Sequence, residues 1–197
     1  ASNRKAMSAK QQLPEILKFE PDEITSQVIA LVKQQFPNNM GNADSFSYAV
    51  TGKQARQAFL HFVEHQLPLF GDYQDAMQLN EPHLFHSICS MYLNCGLLDV
   101  RWVCQKVELA YKEGKVPLNA AEGFIRQIIG WREYINGLYW FFGDLYRAEN
   151  GLAATRPLLP LFEDSTRTKM NCVSTNVRDI EARAWVHHIP RLMVLSN

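Results

Sequence analysis

Residues 119–142 read NAAEGFIRQIIGWREYINGLYWFF, and the rest of the chain is arranged around this stretch. Asn119 can cap a helix, and Glu122 stands three residues later, at the spacing of a capping box. Apolar side chains then recur along one helical stripe, at Phe124, Ile128, Trp131, Ile135 and Leu138. Because further apolar residues flank that stripe, the pattern predicts a helix in the middle of a domain.

Three charged residues, Arg126, Arg132 and Glu133, interrupt this apolar run. A buried charge costs roughly several kcal/mol unless it is paired or faces a polar ligand. The charges therefore allow two interpretations. In one they form structural ion pairs inside a central helix. In the other the helix lines a pocket for an anionic cofactor, with Trp131 as a flat wall.

The composition is that of a folded globular domain. Of 197 residues, 47% are hydrophobic and 20% are charged, which is enough apolar material for one domain with a substantial core. Lys plus Arg and Asp plus Glu are both 20, so the net charge is zero. The charge balance gives no support for nucleic-acid binding, and any DNA-facing surface would have to be local.

The four cysteines, Cys89, Cys95, Cys104 and Cys172, show no CxxC pair and no zinc-type spacing. Without a signal peptide or a long apolar span, the chain is expected to be a soluble cytoplasmic protein with reduced thiols and no membrane partner. Residues 1–12 are expected to form a loose segment. The chain stops directly after an apolar run, which suggests a fragment.

Helical patterns predict an all-α fold. They begin after Pro21, near Gly52, at about residue 82, after Asp99, and, with Thr175 as the cap, at the final helix through residue 195. The sequence has no strong strand pattern, no GxGxxG and no P-loop. His61 and His65 stand four apart and could hold a metal, but no third ligand is evident, so surface histidines are favoured.

Two groups of polar residues on these predicted helices are candidates for chemistry. Ser87 and Ser90 share one face of the helix predicted over 82–95, and with Arg101 they would suit phosphate oxygens, although they also suit capping or packing. His188 falls on the apolar stripe of the final helix, while His187 lies about 100° away. Either a hydrogen-bonded core histidine or a proton donor fits His188. Pro190 should kink that helix just after the histidine pair.

Taken together, five motifs resemble those of the photolyase/cryptochrome family, in its bacterial iron–sulfur branch. The motifs are FGDYQDAM (70–77), EPHLFHSICSMYLNCGLL (81–98), VPLNAAEGFIRQIIGWREYINGLYW (116–140), MNC (170–172) and HHIPRLM (187–193). The resemblance covers roughly residues 15–197. It implies that residues 13–197 are part of the helical FAD-binding domain, without the antenna domain that precedes it in the family and without the segment beyond Asn197.

The resemblance also implies roles for individual residues. Ser87 and Ser90 would bind the phosphates of FAD, Tyr73 and Asp75 would lie at the cofactor pocket, and Arg132 would pair with the cofactor or an acid. His187 and His188 match the histidine pair of (6-4) repair enzymes, in which the second histidine protonates or polarises the lesion. Trp131 would face the lesion or the flavin. Cys172 matches the first of four cysteines that hold a 4Fe-4S cluster.

Three departures from the family pattern bear on function. The other three cluster cysteines would lie beyond Asn197, so this chain cannot assemble a site of four thiolates. Glu163 and Asp164 stand where the family has a Tyr-Trp pair before the MNC motif, and the tryptophan is part of the route of flavin photoreduction. Pro190 replaces a commonly polar residue beside the histidines.

Two functions follow from the resemblance. The first is light-dependent repair of UV-damaged DNA, with the (6-4) photoproduct favoured, by electron transfer from reduced FAD; this DNA photolyase activity would belong to the full-length protein. The alternative is a cryptochrome-like photoreceptor or a non-catalytic remnant of the same fold. The intact histidine pair favours the first function, whereas Glu163–Asp164 and the neutral charge favour the second.

Overall fold

The computed structural model describes residues 3, 5–8 and 11–196, and every regular element in these ranges is helical. The expectation of an all-α fold is confirmed. The helices are α1 (Glu23–Gln35), α2 (Gly52–His65), α3 (Leu67–Tyr73), α4 (Ser90–Asn94), α5 (Val100–Lys112), α6 (Leu118–Phe142), α7 (Asn171–Arg183) and α8 (His188–Pro190). Single 3-10 turns lie at Ala43–Ser45, Gly143–Ala148, Pro160–Phe162 and Ser165–Arg167, and a π turn, Arg191–Leu195, follows α8.

The core is built by α2, α3, α5 and the first half of α6. Phe59 and Phe62 of α2 pack against Phe124 of α6, with ring centroids 5.9 and 5.1 Å apart. Val103 and Val107 of α5 are fully buried beside them. Burying side chains of this size contributes about 1.5–3 kcal/mol each, so this aromatic cluster is the main source of stability.

Gly71 of α3 lies against the first turn of α6. A Cβ atom at this position would stand 2.6 Å from the backbone nitrogen of Ala120 and 2.7 Å from the carbonyl carbon of Asn119. Only glycine therefore allows the two helices to approach this closely. The contact positions the whole of α6, including the part that lines the cleft described below.

The predicted capping box of α6 is wrong. The helix begins at Leu118, its N-cap is Pro117, and no side chain caps it. The Asn119 amide instead donates to the Asp72 carboxylate at 2.9 Å, and Glu122 pairs with Arg126 at 3.0 Å on the helix surface. Tertiary contact with α3 thus uses the side chain that local sequence assigned to the cap.

The prediction that α6 is buried along its length is also wrong. Ala120, Ala121 and Phe124 are buried, but almost every side chain from residue 129 onward is exposed, including Arg132 and Glu133. The exposed apolar side chains of this half are Ile129, Trp131, Tyr134, Ile135, Tyr139, Trp140, Phe141 and Phe142. The charges therefore carry no burial cost, and buried structural ion pairs are not needed to explain them.

The helix predicted over 82–95 forms only at its end, as α4. Residues 77–89 are turns and loop instead, and two residues without special backbone freedom, Leu84 and Ile88, have positive φ angles of 44° and 50°. Such conformations cost about 1–3 kcal/mol each. Burial of Leu84, Phe85 and Ile88 in the core offsets that cost and holds the loop in place.

The final helix is broken in two, contrary to the prediction of one helix after Thr175. The first part, α7, begins at Asn171 and ends where Ala184 adopts a left-handed conformation with φ 53°. An extended stretch follows, and α8 starts at His188 with His187 as its N-cap. The break precedes Pro190, so the proline does not kink a continuous helix as expected. The break also reverses the expected orientation of the two histidines, because His187 is buried and His188 is exposed.

Part of the N-terminal segment is attached to α3 and the residues that follow it. The Lys5 ammonium pairs with Asp72 at 2.7 Å, and the Asn3 amide donates to Asp75 at 2.5 Å. Residues 1, 2, 4, 9 and 10 of the predicted loose segment lie outside the described residues, as does Asn197. Within the described ranges, none of the helices combines the length and the apolar character needed to cross a bilayer.

Candidate functional site

Three parts of the chain enclose a cleft of about 290 Å³: residues 86–93, the middle of α6 and residues 185–191. Five predicted site residues line it, although they are far apart in the sequence: Ser87, Ser90, Arg132, His187 and His188. His86 and Arg191 complete its polar lining. A larger open cleft of about 870 Å³ lies between α1 and residues 39–48, but it contains none of the predicted site residues.

Two histidines form the inner wall of the cleft. The rings of His86 and His187 stack with centroids 4.7 Å apart and an interplanar angle of 24°. Phe70 packs its ring edge-on to His86 at 5.9 Å. Nearby, His83 packs against Trp185 at 4.7 Å. Paired rings thus connect the loop before α4 to the segment between α7 and α8.

Both wall histidines are neutral near pH 7. Burial, together with the neighbouring His187, His188 and His83, lowers the pKa of His86 to about 3. Burial, together with His188, His83 and Arg191, lowers the pKa of His187 to about 4. A neutral imidazole can donate through one nitrogen and accept through the other. The wall therefore offers hydrogen-bonding groups without adding charge.

The geometry indicates which nitrogen of His187 carries the proton. Its Nδ1 accepts a hydrogen bond from the backbone N–H of Ile189 at 3.4 Å. In the neutral ring the hydrogen then lies on Nε2. His187 is accordingly an N–H donor through Nε2.

His86 has an unmet hydrogen-bonding requirement. Its Nε2 atom is buried and, among the described residues, has no hydrogen-bond partner. Leaving such an atom unsatisfied costs about 1–3 kcal/mol, and a ligand in the cleft could recover that free energy. Among the described residues the buried Gln66 Nε2 and His83 Nδ1 atoms also lack partners, but His86 is the residue of the three that lines this cleft.

Two cations, Arg132 and Arg191, give the cleft its charge. The Arg132 guanidinium donates to the amide oxygen of Asn94 at 3.1 Å. In the described part of the chain no carboxylate lies within ion-pair distance of either arginine. Guanidinium groups of this kind bind phosphate and carboxylate oxygens with charge-assisted hydrogen bonds.

The two serines differ in their surroundings. The Ser87 hydroxyl lies 3.1 Å from the Cys89 sulfur and accepts the Cys89 backbone N–H at 3.4 Å, so it partly stabilises the loop. Ser90 is the first residue of α4 and is exposed. Both hydroxyls keep the capacity to donate to an anionic ligand.

Three predicted site residues lie outside the cleft. Trp131 is 55% exposed, and its indole N–H donates to Gln127 at 2.9 Å. Tyr73 is buried in the core, where it stacks on Phe85 with centroids 5.1 Å apart. Asp75 accepts from Asn3, as described above. The roles of these residues stay predictions. Arg101, the expected phosphate partner of the serines, is exposed and also lies outside the cleft.

The described residues do not fit a metal cluster. Cys172 is exposed and lines a separate cleft of about 220 Å³, and no group of three or more His, Cys, Asp or Glu side chains is placed to hold a metal within the described ranges. A 4Fe-4S cluster needs four thiolates. Cys172 as a cluster ligand therefore remains an inference from the resemblance, and no chemistry is derived from it.

Sequence reasoning missed His86 and Arg191 as residues of the site. His86 directly precedes Ser87, and Arg191 follows the HHIP motif by one residue, so their closeness to predicted residues was the available signal. What the sequence did not reveal is the ring stack, because it depends on the non-helical loop at 77–89 and on the break after α7.

Comparison with known proteins finds one family model and two relatives. Residues 1–48 match the family model described as deoxyribodipyrimidine photo-lyase-related protein. The whole chain is 45% identical, over 197 residues, to a (6-4) photolyase of Agrobacterium fabrum and covers 39% of that protein. A stretch of 68 residues, 34% of the chain, is 44% identical to an uncharacterized protein of Acanthamoeba polyphaga mimivirus and covers 52% of that protein.

The all-helical fold and these matches confirm the resemblance to photolyase-related proteins. More particularly, all 197 residues of the chain align with part of a bacterial (6-4) photolyase. It spans about two fifths of the length of that relative, since it covers 39% of it.

Proposed function

We propose that the cleft binds the phosphate-bearing part of FAD. The unpartnered Nε2 atom of His86 carries this proposal, because it indicates a polar ligand within the cleft. The other donors suit an anion: two guanidinium groups without carboxylate partners and two serine hydroxyls. A volume of about 290 Å³ is at the lower end of the roughly 300–1,000 Å³ of ligand pockets, which fits part of a dinucleotide.

Within this proposal each residue has a physical task. Arg132 and Arg191 neutralise the phosphates, and Ser87 and Ser90 donate hydrogen bonds to their oxygens. His187 presents its Nε2 hydrogen to a polar group of the cofactor or the lesion. When bound and reduced, FAD supplies the electron for light-driven chemistry. His188 is exposed beside the cleft, where it can contact a nucleotide that has been flipped out of the duplex.

We further propose light-dependent repair of the (6-4) photoproduct as the activity of the longer protein. Support comes from the identity to a (6-4) photolyase over the whole chain and from the position of both histidines at one cleft. Such a lesion must be protonated or polarised, and the neutral His187 ring can polarise it by donating a hydrogen bond from Nε2. The DNA backbone would be held by Lys and Arg side chains at the rim.

A cryptochrome-like role without repair is the second candidate. The observation in its favour is Asp164, which stands where the family has an aromatic residue. Its carboxylate accepts hydrogen bonds from the backbone N–H and the hydroxyl of Thr166 at 2.9 and 2.6 Å. A carboxylate held in a surface turn cannot relay an electron as an indole ring does. The two candidates differ in repair, not in flavin binding.

The flavin proposal is tested by titrating the chain with FAD and following flavin fluorescence. We expect saturable binding, weakened at least about tenfold in Arg191→Gln, because loss of a hydrogen bond to a charged group costs roughly 1.5–3 kcal/mol. Arg101→Gln is the matched control, since it removes the same charge from an exposed position outside the cleft. No saturable binding, or equal weakening by both substitutions, would contradict the proposal.

A further inference from the structure

The contacts of His187 raise the question of what holds its ring in place. The residue lies outside α7, in extended backbone at the N-cap of the three-residue helix α8. Its own hydrogen bond, to the N–H of Ile189, is long at 3.4 Å. Such a bond alone does not fix a ring that must present one nitrogen to a ligand. The orientation of His187 therefore depends on packing.

His86 supplies that packing. Among the described residues it is the one ring that stacks on His187, at 4.7 Å and 24°. His86 is itself held in place, because the Phe70 ring packs nearly perpendicular to it with centroids 5.9 Å apart and because Phe85 and Ile88 anchor the loop in the core. The stack therefore ties the segment between α7 and α8 to the core.

We propose that His86 is a positioning residue, whose stacked ring shields His187 from water and holds it with its Nε2 hydrogen available to the ligand of the cleft. This inference rests on the proposed function in one respect, namely that a ligand of the cleft accepts the Nε2 hydrogen of His187. It goes further because nothing in the sequence motifs gives His86 a task beside the histidine pair.

The charges around His187 are consistent with this role. From the loop before α4 it faces His83 and His86, and from its own segment it faces His188 and Arg191. No carboxylate is among the groups that influence it, and every neighbour opposes its protonation. Burial is the largest reason why the pKa of His187 falls to about 4.

The test is an NMR titration of histidine-labelled protein from pH 7.5 to pH 5, without flavin or DNA. In the natural protein we expect no titration of His187 above pH 5 and a ring with its hydrogen on Nε2. His86→Phe keeps a flat ring and should preserve both features. His86→Ala admits water, so His187 should titrate with a midpoint within about one unit of its ordinary pKa near 6.5. His61→Ala, on α2 and outside the cleft, is the control and should change nothing.

Three results would overturn the inference. The first is titration of His187 near pH 6.5 in the natural protein, the second is no change in His86→Ala, and the third is an equal change in His86→Phe and His86→Ala. If His86→Ala does not fold, His86→Asn replaces it, and the measurements on the natural protein and His86→Phe still decide. Because the NMR titration uses no flavin, it decides this inference even if the chain fails to bind FAD.

Discussion

Lowering the pH from 7 to 5 should reduce the free energy of unfolding by about 2–4 kcal/mol, because the fold holds three histidines, one buried and two half-buried, in their neutral form. Burial lowers the pKa of His83 to about 4, with Arg183 and Lys18 acting in the same direction and Asp179 against it. His86 and His187 have pKa values of about 3 and about 4, as described above. A typical domain has only about 5–15 kcal/mol of stability in total.

The sign follows from proton binding. In the unfolded chain these histidines bind a proton near pH 6.5, whereas in the folded chain they do so only near pH 3–4. Between those values the unfolded state binds more protons, so stability is lost as the pH falls through this window. Each fully buried neutral histidine would reduce stability by about 2 kcal/mol at pH 5, and the partial exposure of His83 and His86 reduces their shares.

Urea unfolding at pH 7, 6 and 5 measures this effect. His86→Phe removes one of the three titrating groups and keeps the stack, so its loss of stability on acidification should be smaller by about a third. His65→Gln changes a histidine outside the group formed by His83, His86 and His187, so it should lose as much stability on acidification as the natural protein. Equal stability at pH 7 and pH 5 would show that water reaches these three histidines in the folded protein.

Replacing Gly71 with Ala should destabilise the fold by about 3 kcal/mol. The new Cβ would lie 2.6, 2.7 and 2.8 Å from three atoms of Asn119 and Ala120, two of which are backbone atoms that cannot move independently. Overpacking of this kind typically costs roughly 1–3 kcal/mol, and a backbone clash belongs at the upper end. Since α6 carries Arg132, the displaced helix should also weaken FAD binding.

Gly130→Ala is the matched control for this substitution. It lies in the exposed half of α6, where an added Cβ meets nothing within 4 Å. Alanine is favoured over glycine in a helix by about 1 kcal/mol, so this variant should be more stable than the natural protein. Denaturant midpoints of the two variants give the comparison. A similar effect of both substitutions would contradict the close α3–α6 contact.

Local sequence predicted several elements well because their determinants are local. Asp99 caps α5 as expected, since its carboxylate accepts the backbone N–H of Trp102 at 2.8 Å. Asp22, expected within the first turn of α1, is instead its N-cap and accepts the backbone N–H of Thr25 at 2.8 Å. Periodicity also predicts Ala55, Phe59, Phe62 and Val63 on the inner face of α2, where the first three are buried and Val63 is half-buried. Caps and periodic apolar faces are encoded within one turn or two of helix, which is the range that such patterns cover.

The errors share a different cause, namely contacts between distant residues. Asn119 contacts Asp72 instead of capping its own helix, and the loop at 77–89 exchanges helical hydrogen bonds for burial of Leu84 and Phe85. Periodicity placed His188 on an apolar stripe only because the final helix was assumed to be continuous. The left-handed turn at Ala184 ends that continuity and turns His187 inward instead.

The candidate site was predicted by motif resemblance and not by periodicity. Ser87, Ser90, Arg132, His187 and His188 come from three separate stretches, and no local rule would have grouped them around one cleft. The partners that complete the cleft, His86 and Arg191, needed the three-dimensional structure. The ring stack is a relation between two residues 101 positions apart in the numbering, from 86 to 187, which no single stretch can encode.

The most direct test of the proposed function is repair of DNA that carries a single defined lesion. Oligonucleotides with one (6-4) photoproduct or one cyclobutane dimer are incubated with the protein and reduced FAD, in blue light and in darkness. We predict loss of the (6-4) photoproduct in light only, reduced about 100-fold or more in His187→Phe, because removing one preorganised hydrogen-bond donor costs on the order of 10²–10³-fold in rate. A protein that binds FAD but repairs neither lesion in light would contradict the repair function and favour the cryptochrome-like role.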